Sequence, residues 1–155
     1  PDRSHELRET IVDRMAARSD PSIVASLVEI IEEGTQIHQR RNAVWMLGRV
    51  AGAKSTKMDA VEALRDVLGE DDDLISQFAA TGLAEIGGRM VETALLEVIE
   101  ADEYGEDATA MAAFALGKVG GERSRKRLEK LVDETENAEV RRRAFSAISK
   151  LGGHS

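Results

Sequence analysis

An all-α superhelix, a solenoid of helical hairpins, is the fold class this sequence predicts, and three observations predict it. Apolar residues recur at spacings of three and four rather than in strict alternation, which lines them on helical stripes and argues against strands. A short pattern returns at intervals of 36, 33 and 32 residues, as Leu47-Gly-Arg-Val-Ala-Gly52, Leu83-Ala-Glu-Ile-Gly-Gly88, Leu116-Gly-Lys-Val-Gly-Gly121 and Ile148-Ser-Lys-Leu-Gly-Gly153. About twenty residues upstream of each lies a second apolar pattern: Leu27 with Ile30 and Ile31, Leu64 with Val67 and Leu68, Leu95 with Val98 and Ile99, and Leu128 with Leu131 and Val132. Each period is therefore a pair of helices, and periods of 20 to 50 residues mark stacked repeats.

The elements follow in order. Residues 1–19 read as a lone amphipathic helix with Leu7, Ile11 and Met15 on one face; Arg8, Glu9, Asp13 and Arg14 lie away from that stripe, which suits a capping element. Asp20-Pro21 reads as an N-cap followed by proline at the first helical position. Four hairpins follow at about 20–52, 57–88, 90–121 and 123–153, for nine helices within one domain spanning 1–155. Each second helix carries an alanine four residues before its leading Leu or Ile, at Ala43, Ala79, Ala112 and Ala144. A glycine or glycine pair after each second helix is expected to supply the left-handed residue that ends it. The acidic loops Glu70–Asp73 and Asp102–Asp107 precede second helices, where negative charge meets the positive helix end. They read as solvated, and they lack the alternating ligand spacing of a calcium loop. Because residue 1 is proline rather than methionine, processing or excision from a longer chain is expected.

Composition narrows the function. A chain of 155 residues buries roughly 70% of the surface it exposes unfolded, so it needs no disulfide or metal to hold a core. Zero cysteine excludes a disulfide framework, thiolate metal sites and a cysteine nucleophile. The polar N-terminus is no signal core, and no apolar run approaches the roughly 18 residues of a membrane span, so a cytoplasmic location is expected. The net charge of -8 is uneven. Residues 59–107 carry two basic and fifteen acidic side chains, whereas residues 108–155 carry ten and six. Arginine outnumbers lysine fifteen to six, a ratio that reads as source composition or salt adaptation.

At the level of family, Arg41-Asn-Ala-Val-Trp-Met-Leu-Gly-Arg-Val and Met111-Ala-Ala-Phe-Ala-Leu-Gly-Lys-Val-Gly are similar to the second-helix signature of HEAT-like repeats. The resemblance is to the short bacterial and archaeal type also found in phycobilin lyase subunits, and it covers residues 20–153. It implies an interaction scaffold, although the same architecture also occurs in phycobilin lyases, in the iron enzyme deoxyhypusine hydroxylase and in some DNA glycosylases.

Catalysis finds no support in the residues. A di-iron site like that of deoxyhypusine hydroxylase needs His-Glu pairs in several second helices, because two irons take a cage of imidazoles and carboxylates. His5-Glu6 in the first helix is the one such dipeptide, and His38 and His154 lie a repeat or more from it and from each other. The serines occupy caps, loops or small-residue positions with no histidine spaced for a triad. The Gly-Gly steps end helices instead of joining a strand to a helix, so they are not phosphate loops. No cofactor or metal is expected.

The surface carries the remaining signal. At 100° per residue, positions two before, two after and six after each reference alanine point away from the core. These are Arg41, Trp45 and Arg49; Gln77, Thr81 and Glu85; Ala110, Phe114 and Lys118; and Arg142, Ser146 and Lys150. Five of the twelve are basic and one is acidic. The expected site is thus a basic groove on the concave face of the second helices, with Trp45 and Phe114 as apolar anchors and Arg41, Arg49, Lys118, Arg142 and Lys150 as charge partners. Its expected ligand is an acidic or amphipathic segment of another protein, bound by a monomer. Trp45 and Phe114 also admit a purely structural reading, Trp45 covered by the first helix or the longer loop 51–57 and Phe114 extending the core. Three alternatives are weighed: single-stranded nucleic acid in the same groove, opposed by the acidic middle third; an accessory subunit of a lyase or other enzyme; and a fragment of a longer solenoid.

Overall fold

The computed structural model describes residues 21–50, 54–101 and 103–152. Among these, eight α-helices and no strands form: α1 (Pro21–Glu33), α2 (Ile37–Val50), α3 (Lys54–Asp66), α4 (Asp73–Ile86), α5 (Gly88–Ala101), α6 (Glu106–Val119), α7 (Glu122–Glu134) and α8 (Ala138–Gly152). The expected capping helix at 1–19, together with Asp20, lies outside the described residues.

The helices stack in two layers, α1, α3, α5 and α7 in one and α2, α4, α6 and α8 in the other, with consecutive members of each layer in contact. The periodic apolar residues meet between the layers. Ala43, Ala79, Ala112 and Ala144 are buried, as are Leu47, Leu83 and Leu116. Leu64, Leu68, Leu95 and Leu128 close the core from the other layer. The pattern loosens at the ends: Ile30 stands 36% exposed, and Val132 and Ile148 are only partly covered.

Small residues set how close the second helices come. A Cβ on Gly48 would lie 2.5 Å from the Cα of Gly82, and one on Gly117 would lie 3.0 Å from the Cα of Ala147. Backbones therefore touch where α2 crosses α4 and where α6 crosses α8. The second-helix layer is packed more extensively than the first, and α5 and α7 are the loosest consecutive pair of the first layer.

Helix ends depart in part from the sequence expectation. Gly87 and Gly88 do take positive φ, 61° and 84°, and the Gly87 N–H donates to the Leu83 carbonyl at 2.9 Å. Gly120 does not; its φ is -77°. Glycine is needed there for space instead, since a Cβ would meet the Ser124 Cβ at 2.6 Å and the Leu116 carbonyl oxygen at 2.7 Å. The acidic loop ahead of α4 is likewise not simply solvated. Asp72 caps α4 by accepting from the Ile75 N–H at 3.0 Å. Glu70 and Asp72 are held by Arg40 and Arg41 of the preceding repeat.

That last contact is one of a series. Arg123, Ser124 and the Gly121 N–H converge on Glu92, Arg127 pairs with Glu100, and the Asn137 side-chain amide donates to Glu106. All join residues 27 to 32 apart, one repeat length. Five acidic residues of the middle of the chain, Glu70, Asp72, Glu92, Glu100 and Glu106, are thus placed opposite basic, hydroxyl or amide groups of the neighbouring repeat.

Candidate functional site

The seven residues expected to bind a partner fall on α2, α6 and α8, and the structure divides them into two aromatic-centred groups. On α2, Trp45 is half-buried against the core, and the Arg49 guanidinium, one helical turn on, lies 4.7 Å from its ring centroid. On α6, Phe114 is also half-buried, and the Lys118 ammonium stands 5.0 Å from its ring. Lys150 reaches the same ring from α8 at 5.5 Å. A cation over an aromatic face is attracted by the ring quadrupole, so each ring gathers positive charge at the surface it shows. Both rings pack against the core and have cationic side chains beside them; the expected first helix and residues 51–53 of the loop expected to cover Trp45 lie outside the described residues.

Arg41 and Arg142 are placed differently. The Arg41 guanidinium grips Asp72 through Nε at 3.1 Å and Nη2 at 2.5 Å, and so links α2 to the cap of α4. Its hydrogen bonds, with that of the Ile75 N–H, hold the Asp72 carboxyl at about 2. Arg142 donates to Glu139 on its own helix, one turn back, at 3.0 and 2.5 Å. Arg142 and Arg143 together draw the Glu139 carboxyl below the usual carboxylate range. A ligand reaching for Arg41 or Arg142 must compete with these carboxylates.

Of the remaining outward positions, Gln77, Thr81, Glu85 and Ser146 are exposed, and Ala110 is not. Ala110 is 5% exposed because α6 lies between α4 and α8, whose close approach covers a side chain as short as a methyl.

One residue was missed from sequence. The Arg143 guanidinium lies 5.2 Å from the Phe114 ring and lines a cavity of about 290 Å³ with Gln77, Thr81, Met111 and Phe114. The sequence places Arg143 beside the core position Ala144, but its reach to the Phe114 ring depends on how α8 crosses α6. Among the described residues no three His, Asp or Glu side chains converge where they could hold a metal ion, and no helix is long and apolar enough to cross a membrane.

Helix pairs stacked at a near-constant period, joined by close small-residue crossings and presenting a continuous layer of second helices, define an α-solenoid repeat protein. The chain belongs to the HEAT repeat family, whose model matches residues 61–149, more than half of it. It is 82% identical over 153 residues to a HEAT repeat-containing taxis protein of Halobacterium salinarum. That alignment takes in 99% of this chain but 38% of the relative, so the chain spans well under half the length of the protein it matches.

Proposed function

We propose that this chain is a non-catalytic interaction module whose inner, second-helix face binds an acidic or amphipathic segment of a protein partner. One observation carries the reading: on a single helix layer, two aromatic side chains each sit beside cations, Trp45 with Arg49 and Phe114 with Lys118 and Lys150, in a chain whose net charge is -8. Apolar rings flanked by cations suit a segment that alternates apolar and acidic side chains, since aromatic anchors supply contact area and the cations supply register. Between the two groups α4 shows the uncharged Gln77 and Thr81 and the acidic Glu85, all exposed. The relative's name places it in taxis, and we extend that setting to this chain: the partner is a component of a taxis pathway, and the module acts in the cytoplasm.

Affinity capture from source-cell lysate, followed by titration of the purified partner, tests this. Anchors of this kind contribute about 2 kcal/mol each, roughly thirtyfold in affinity, when buried at an interface. Trp45→Ala is expected to weaken the recovered partner about thirtyfold with circular dichroism unchanged. A partner bound equally by wild type and by a folded Trp45→Ala, Phe114→Ala variant removes this face from the function.

A further inference from the structure

We propose that the cations around Phe114 form a carboxylate subsite, the point on the inner face where an acidic peptide segment places its Glu or Asp side chains. This rests on the second-helix face being the binding face and assigns the chemistry to one end of it. Lys118 from α6 and Arg143 and Lys150 from α8 stand 5.0, 5.2 and 5.5 Å from a single ring centroid. Three cationic side chains thus surround one ring, carried by two helices whose backbones meet at the Gly117–Ala147 crossing. Arg143 donates to Glu139 at 3.0 Å and shares that carboxylate with Arg142. Among the described residues, neither Lys118 nor Lys150 has a carboxylate within ion-pair distance. A ring has two faces to offer and carries no net charge, so Phe114 offsets the repulsion among three cations only in part. A carboxylate bound beside Lys118 and Lys150 would lower it.

The adjoining cavity narrows the choice of anion. Its walls pair the apolar Met111 and Phe114 with Gln77, Thr81 and Arg143, all capable of donating hydrogen bonds to a carboxylate. A second cavity, sharing Gln77, Met111 and Arg143 with the first, is lined by Glu70, Asp71, Asp73, Asp107 and Glu139. Those five carboxylates repel a compact, multiply charged ion such as phosphate on approach. An extended segment can direct its carboxylates to the cations and an apolar side chain onto Met111 and Phe114, leaving uncharged backbone toward the acidic rim.

The test uses the whole chain and two probes at fixed ionic strength: a synthetic peptide with glutamates flanking one leucine, and inorganic pyrophosphate. Binding is read from the Phe ring and Lys methylene signals in ¹H–¹³C spectra. Saturable shifts of Phe114, Lys118 and Lys150 with the peptide are expected, together with at least a tenfold loss of affinity in a Lys118→Met, Lys150→Met variant that keeps the side-chain stems. Should that variant fail to fold, Lys118→Gln alone carries the test, with at least a threefold loss expected. Absence of saturable shifts, binding retained in the variant, or a response to pyrophosphate and not to the peptide would each overturn the subsite. The broader reading is separable: a native partner lost on Trp45→Ala but bound equally by the Lys118→Met, Lys150→Met variant keeps the binding face and removes the carboxylate subsite.

Discussion

Replacing Gly48 by alanine puts two well-measured effects in opposition at one atom. In a helix interior the substitution is favourable by about 1 kcal/mol, because glycine loses more backbone freedom on folding. At this position the new Cβ would sit 2.5 Å from the Gly82 Cα, where carbons normally approach to about 3.5–4.0 Å. The obstacle is backbone, so no rotamer change relieves it; α2 and α4 must part by roughly 1 Å across their whole contact. Overpacking of this kind costs about 1–3 kcal/mol, and a rigid obstacle belongs at the upper end. Subtracting the propensity gain leaves a net loss of about 2 kcal/mol, equivalent to a fall in Tm of roughly 4–8 °C for a chain of this size. Thermal unfolding followed by circular dichroism, with Ser146→Ala on the exposed face of α8 as a neutral control, measures it. Gly82→Ala, whose Cβ would meet the Gly48 Cα at the longer distance of 3.0 Å, should cost less. An unchanged or raised Tm for Gly48→Ala would show that propensity outweighs the crossing, and would refute the claim that glycine sets the spacing of the second-helix layer.

Other outcomes follow from the same structure. Leu116→Ala, at a fully buried core position, is expected to lower stability by about 2–5 kcal/mol in urea unfolding. Glu92→Ala leaves the buried Ser124 hydroxyl without its acceptor, and a loss of about 1–3 kcal/mol should appear in the same assay. The Asp72 carboxyl, held at about 2 against an ordinary 3.8, favours the folded state above pH 3.8, and that contribution disappears as the pH falls toward 2. Carboxyl ¹³C titration should therefore find Asp72 well below the ordinary aspartate value, and Arg41→Ala should raise it toward that value.

The repeat and its core were legible because each rests on short-range periodicity. A Leu or Ile four residues after an alanine falls on the same helical face whatever lies beyond, and Ala43, Ala79 and Ala112 are buried with their partner leucines as that rule requires. Quantities set by contacts between repeats were not legible. Gly120 resembles the Gly87 stop in sequence, yet its role comes from the packing of Ser124 and not from its own φ. Arg40 and Arg41 look alike as members of a basic surface, but both reach acidic residues a repeat away, and no local pattern states that distance. Ala110 pointed outward by helical angle and is covered because α4, α6 and α8 lie close. The aromatic positions Trp45 and Phe114 could be placed on second helices, whereas the approach of Arg143 to the Phe114 ring depends on how α8 crosses α6.

Which face of the solenoid meets the partner is the central claim, and site-directed photocrosslinking addresses it most directly. A p-benzoyl-phenylalanine placed at the exposed Thr81 on α4 samples the inner layer, and the same group at the exposed Glu97 on α5 samples the outer one. The account predicts that irradiation in source-cell lysate joins a partner to the Thr81 variant and none to the Glu97 variant. A discrete adduct from Glu97 with none from Thr81 would contradict it and move the binding surface to the first helices.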